Sequence, residues 1–464
     1  MRLKTLLFFV VLSLLASFAF YEQIKSGIKS FSVAMFERVS DWSIASKGEQ
    51  KFKAIADEKL LVLNDFVAFT NKLVFAAGDE ILLHLAARDE LLVTIFNINA
   101  DGLEKQYSKT KYDVRTPSFS IYSTFDGIIT PTRKVSINST RLGTGWFGIR
   151  VSDSKGTSIE IPIYIDSNVI EKKILFVEST DTLLAYNPAY NTFSVPNYYF
   201  KNLDKSETHV VPYNTPITYR QLALKSMEEI SCTDHLINSD AIHRKNLKNM
   251  GFDFQTVSDE KLDNPDTFKD VDIIIFGTHN EYWTIKKARN VMNFVDNGGK
   301  VLFLGGNTAW RRIYREAKRT WIHGAGLMND PTFEKLIRHY LGTYYTSTDN
   351  GTYAEVSVLD EDVLGARFSQ NVSGVSVLGE GTAFKHCENK IYGISGHETD
   401  ELVDSSTGFI KLAKGNNEGG GADIVYKSFS SGGEILNFGS LSLWHNKDPI
   451  IFGLIQNFLE KANK

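Results

Sequence analysis

The stretch from Val271 to Leu304 constrains this chain more than any other. Val271 to Phe276 is almost wholly apolar, as a strand covered on both faces must be. Thr284 can then cap a helix in which Ala288, Val291, Met292 and Val295 fall at i, i+3, i+4 and i+7 on one buried face. Gly298 and Gly299 stop that helix, and Val301 to Leu304 supplies a second apolar strand. A strand, a helix and a strand in that order predict a right-handed βαβ unit, which needs further parallel strands beside it.

Further strands are read on both sides: Ile174 to Val177 and Phe252 to Val257 before the unit, and Ala354 to Val358, Ile391 to Ile394 and Glu434 to Phe438 after it. A closing helix runs from Pro449 to about Lys461. Residues 170–464 therefore read as a doubly wound α/β domain with insertions. Upstream the texture differs. Ile81 to Leu85, Leu91 to Ile98, Phe119 to Tyr122, Gly145 to Val151 and Ile159 to Ile165 are short runs separated by turn residues such as Asp101-Gly102 and Asp126-Gly127. With no helical pattern between them, residues 61–166 are expected to form an all-β, immunoglobulin-like sandwich, with Trp146 as a core anchor.

Residues 1–20 pair Arg2 and Lys4 with an apolar run from Leu6 to Phe20, which is export chemistry. The run is short for a bilayer span, and Ser17 and Ala19 suit a signal peptidase. Cleavage and a retained membrane anchor through residues 4–20 both stay open, and either places the folded part in the periplasm, in the medium or on the outer face of a membrane. Residues 21–60 read as a linker. A net charge of −4 argues against a nucleic-acid partner, and the basic run Arg311 to Arg319 is read as a solvated helix face. Cys232 and Cys387 form no metal-ligand pattern; a single disulfide and two buried thiols are equally compatible with them. Nothing in the chain fixes the oligomeric state, and a homo-oligomer is left open.

In open α/β sheets reactive groups collect past the carboxyl ends of strands. Gly277-Thr278-His279-Asn280-Glu281-Tyr282-Trp283 occupies that position and brings an imidazole, a carboxylate and a phenol within four residues. Read by itself, the segment is also a plain capped turn with an aromatic lid.

This stretch, continued by Asn297 to Trp310 with its Gly305-Gly306-Asn307, resembles the N,N-dimethylformamidase large (beta) subunit family, with Asn280 standing where that family carries aspartate. Ile174 to Asn187, Gly396-His397-Glu398-Thr399-Asp400 and Gly433 to Ser440 carry the same resemblance. It implies a class I glutamine amidotransferase-like domain after the sandwich, and hydrolysis of a linear amide assisted by a ferric ion. Carried over, Tyr186, Tyr219 and Glu281 would hold the iron, with Tyr213 as the second choice for the second phenolate. His279 and Glu398 would be the acid–base pair. Two phenolates and a carboxylate are hard anionic donors suited to a trivalent ion, and an ion so held would polarise an amide oxygen or a water.

No cysteine elbow and no GxSxG turn is present, which disfavours thiol and serine nucleophiles. An exported location suits a catabolic amidase poorly. The competing reading is therefore an envelope protein, non-catalytic or differently active, that binds a glycan or other cell-surface ligand.

Overall fold

The computed structural model describes residues 66–70, 72–98, 104–114, 122–124, 127–129, 133–185, 209–212, 237–316, 319–322, 331–346, 353–360, 364, 375–379, 393–396 and 398–460. The export segment, the linker and both cysteines lie outside them. Among the described residues no helix is long and apolar enough to cross a membrane.

Two sheets form the first layer pair. One has three strands in the order Phe66–Thr70, Glu80–Ala87, Arg133–Asn138. The other has five, in the order Val74–Ala76, Ser158–Asp166, Gly145–Ser152, Leu91–Ile98, Glu104–Tyr112. Period-two alternation places Ile81, Leu83 and Leu85 inward from one sheet against Val93, Ile149 and Ile161 of the other, all buried in one cluster.

The second region is built on a nine-stranded sheet. Its order is Gln255–Ser258, Ile174–Glu178, Ile273–Phe276, Lys300–Phe303, Glu434–Asn437, Asp423–Ser428, Ile410–Gly415, Val356–Val358, Val377–Leu378. The first five strands run parallel and the remaining pairings are antiparallel. Alternation along Ile273–Phe276 divides its side chains between two cores. Ile273 and Ile275 pack with Leu247, Leu454 and Phe458 of helices Ile237–Asn249 and Pro449–Glu460. Ile274 and Phe276 pack with Ala288, Val291 and Val295 of helix Ile285–Asp296 on the opposite face. A strand covered in this way must be apolar throughout.

Local signals set the element ends. Thr284 Oγ1 accepts from Lys287 N at 3.0 Å and opens the helix; Gly298, at φ 96°, closes it with Gly299 N donating to Phe294 O at 2.9 Å. The run from Phe252 begins its strand later than expected, at Gln255, because Gly251 (φ 86°) turns the preceding helix and Phe252 N still donates to Leu247 O. The run from Ala354 divides into Tyr353–Ala354, paired with Ser395–Gly396, and Val356–Val358 in the large sheet.

The basic run is not a solvated helix face. Arg311–Glu316 and Arg319–Ile322 form a hairpin that joins His209–Pro212 and Tyr282–Trp283 in a four-stranded sheet. Arg311 is 1% exposed. Arg315 pairs with Asp181 and, at 2.5 Å, with Asp263. These carboxylates lie far away in sequence, so the local pattern carries no trace of them.

Candidate active site

Three neighbouring parallel strands, Ile273–Phe276, Lys300–Phe303 and Glu434–Asn437, end on the same edge of the sheet; the first two deliver a loop each to one place, and the end of the third ties down another loop beside them. The first loop is Gly277 to Glu281. Asp240, buried on helix Ile237–Asn249, accepts from Thr278 N at 2.6 Å. A Cβ on Gly277 would lie 2.4 Å from the same carboxylate, so only glycine fits beside it. Burial pushes the Asp240 carboxyl up to about 6, outweighing the Thr278 N–H that favours its charged form.

Thr182, in helix Thr180–Ala185, grips both sides of the same turn. Its hydroxyl donates to His279 O at 2.7 Å and accepts from Glu281 N at 3.2 Å. Asn280, between them, points away: its amide donates to Ser179 Oγ at 2.9 Å, while Lys287, itself paired with Asp259, reaches its carbonyl oxygen at 3.4 Å. His279 and Glu281 are thereby left on the side that meets the other loops.

The second loop crosses the first at backbone contact. A Cβ on Gly305 would stand 1.8 Å from Thr278 O, and one on Gly306 would stand 2.7 Å from Glu398 O. Asn307 follows with left-handed backbone, φ 51°. The third loop, Ser395 to Asp400, is tied to the end of strand Glu434–Asn437. Gly396 N donates to Ser440 Oγ at 3.0 Å, Leu441 N to Glu398 O at 3.2 Å, and Asp400 N to Gly439 O at 2.8 Å.

The loops bring together three of the residues singled out from sequence. His279 Nε2 lies 3.3 Å from Glu398 Oε2 and 3.5 Å from Glu281 Oε2. His279 is fully buried and the Glu281 side chain is 2% exposed, whereas Glu398 keeps 14% of its side chain open. Burial works against a charged His279 ring. The Glu398 hydrogen bond and the charges of Glu398, Glu281 and Asp240 outweigh it and hold the ring above its ordinary pKa. Tyr186, Tyr219 and Tyr213 lie outside the described residues, as does His397. Trp283 is wholly buried against Phe276, with Lys287 Nζ 4.3 Å from its ring centre; it belongs to the core rather than to a crevice.

Two further side chains belong to the cluster. Asn307 Nδ2 donates to Glu398 Oε2 at 2.8 Å and lies 3.5 Å from His279 Nε2, so it touches both members of the pair. Arg311 Nε lies 3.5 Å from Glu281 Oε1. From sequence Asn307 stands only at the end of Gly305-Gly306-Asn307 in the segment that carries the resemblance, with no partner named for it. Arg311 was concealed within the basic run.

Among the described residues no three His, Cys, Asp or Glu side chains are grouped to hold a metal ion. The expected donor set draws on two phenols besides Glu281, and of that set Glu281 alone is described. Its buried carboxylate, with a guanidinium at one oxygen and an imidazole near the other, is a hard anionic donor of the required type.

The model of the family described as N,N-dimethylformamidase beta subunit-like, C-terminal matches residues 130–446. No curated protein matches the chain. Among solved structures, the mmIFT52 N-terminal domain is similar at 13% identity with a TM-score of 0.30, covering 48% of this chain and 89% of that one. A ThuA-like protein from Bacteroides uniformis is similar at 13% identity with a TM-score of 0.31, covering 48% and 84%.

Proposed function

Because the chain belongs to the N,N-dimethylformamidase beta subunit-like, C-terminal family, we propose that it hydrolyses the carbon–nitrogen bond of a small amide at the His279–Glu398 pair. The observation that carries this reading is one buried imidazole nitrogen placed 3.3 Å from one carboxylate and 3.5 Å from another. Such a ring can take a proton from an attacking water and return it to the leaving nitrogen, with Glu398 compensating the imidazolium. Asn307 keeps the shared Glu398 oxygen turned toward the ring.

Glu281, with Tyr186 and either Tyr219 or Tyr213, would hold ferric iron. Bound there, iron would supply Lewis-acid polarisation of a carbonyl or a water. Arg311 limits how far Glu281 can turn, and burial of that carboxylate excludes bulk water from it. The two packed β-sheets and the nine-stranded sheet between helical layers support our reading of an immunoglobulin-like sandwich followed by a glutamine amidotransferase-like α/β domain. The apolar run Leu6 to Phe20 supports export.

The test is an amine-release assay on small formamides and acetamides, run beside iron analysis and visible absorption of protein from iron-replete culture. We expect turnover, a ferric phenolate band, and loss of iron and colour in Glu281→Ala. His279→Ala should keep the colour and lose turnover by about a hundredfold or more. Turnover unaffected by His279→Ala would sink the acid–base assignment. Colourless, iron-free wild type would sink the metal assignment.

A further inference from the structure

Asp400 is wholly buried, two residues along the same loop from Glu398, and its carboxylate meets the second loop instead of the reacting groups. Oδ1 accepts from Asn307 N at 2.7 Å and Oδ2 from Thr308 N at 3.3 Å. Two consecutive backbone N–H groups aimed at one carboxylate define the turn that carries Asn307 at φ 51°. From that left-handed backbone the Asn307 amide reaches Glu398 Oε2 at 2.8 Å. The loop bearing Glu398 thus holds, through Asp400, the residue that in turn orients Glu398.

We propose that Asp400 is a positioning residue, acting through Asn307 to fix the Glu398 carboxylate against His279. The proposal rests on the amide-hydrolase reading for its catalytic consequence and on the hydrogen-bond geometry for its structural one. In Asp400→Asn the side chain keeps its shape, but its NH2 must face one of the two backbone donors. The turn at 307 and 308 then loses one acceptor, and the Asn307 amide is released from Glu398. A residue acting only through Asn307 has nothing left to do once that amide is gone.

The experiment is a double-mutant cycle of Asp400→Asn and Asn307→Gly, glycine being chosen because it keeps the left-handed backbone without strain. Two quantities are read: kcat and KM for a small amide, and the ring-nitrogen NMR signal of His279, recorded with diamagnetic gallium(III) in place of any ferric iron and assigned by its loss in His279→Gln. We expect each single variant to lower kcat about tenfold with KM little changed, and to shift the His279 signal. The double variant should be no worse than Asn307→Gly in either readout. Independent, multiplicative losses would overturn the proposal, as would an unmoved His279 signal in Asp400→Asn. If the wild type cleaves no amide, the functional reading fails and the NMR cycle alone decides the role of Asp400. Should Asp400→Asn not fold, Asp400→Glu enters the same cycle. Failure of both to fold makes Asp400 a purely structural residue and overturns the proposal.

Discussion

Trp146 Nε1 donates to Glu178 Oε2 at 2.8 Å, and this bond joins the five-stranded sheet to the nine-stranded one. Glu178 ends strand Ile174–Glu178, and both of its oxygens also accept from Arg244 Nη1 at 2.7 Å. Beyond Glu178 the chain passes through Ser179 to Thr182, which hold Asn280 and the 279–281 turn. The paired β-sheets therefore contact the end of the strand whose following residues brace the candidate site.

Trp146→Phe keeps a smaller buried aromatic ring and deletes one bond to the Glu178 carboxyl, which also pairs with Arg244. It should lower stability by about 1.5–3 kcal/mol, read as a shift in urea midpoint at constant slope. Glu178→Ala strands the buried Arg244 guanidinium and should cost about 3–5 kcal/mol. If the alanine variant proves the milder of the two, the ion pair contributes less than its geometry implies.

Thr182→Val preserves volume while removing the hydroxyl between His279 O and Glu281 N. About 1–3 kcal/mol of stability should go with it. The His279 ring should also lose its fixed placement, lowering amide turnover more than binding. Unchanged turnover beside a lowered urea midpoint would show that the turn is held by other contacts.

Gly305→Ala should be poorly tolerated, because the new methyl would meet the Thr278 carbonyl, a backbone atom that cannot swing aside. A loss of about 3 kcal/mol or more is expected, together with loss of activity as the first two loops are pushed apart. Gly432→Ala meets no neighbour but sits at φ 92°, so it tests backbone strain without the clash and should cost less.

His243 and His445 are buried, and desolvation lowers the pKa of each to about 3 from 6.5. The unfolded chain therefore binds protons below 6.5 that the folded chain refuses. The stability these rings contribute is complete above 6.5 and is lost as pH falls toward 3, amounting to roughly a few kcal/mol per ring. Asp166, which burial raises to about 6, acts in the opposite sense between 3.8 and 6 because its folded form holds the proton. The informative measurement is thus a difference. His243→Leu should flatten stability against pH by up to one proton relative to wild type between 6.5 and 3, and an unchanged slope would count against a neutral buried His243.

Legibility in the sequence followed the range of the interactions. Thr284, the apolar positions of the helix after it, and Gly298 are local signals, and each does in the structure what its type and spacing imply. His279 and Glu281 could be singled out because a buried strand ends just before them. Glu398 could be connected to them only through the family resemblance, since nothing local joins positions so far apart. Asn307 and Arg311 were missed as site residues for the same reason: Glu398 is 91 positions from Asn307. Arg311, Arg312 and Arg315 also satisfy helical and extended spacing equally well, and burial by distant carboxylates decided between them.

The hairpin strand Arg311–Glu316 meets Tyr282–Trp283 through only two residue pairs. From that narrow seam Arg311 reaches Glu281, and Arg315 reaches Asp181 and Asp263. Both guanidiniums therefore leave or stay together: the two-pair seam couples the charge balance of Glu281, in the candidate site, to that of Asp181 on the short helix that braces the 279–281 turn.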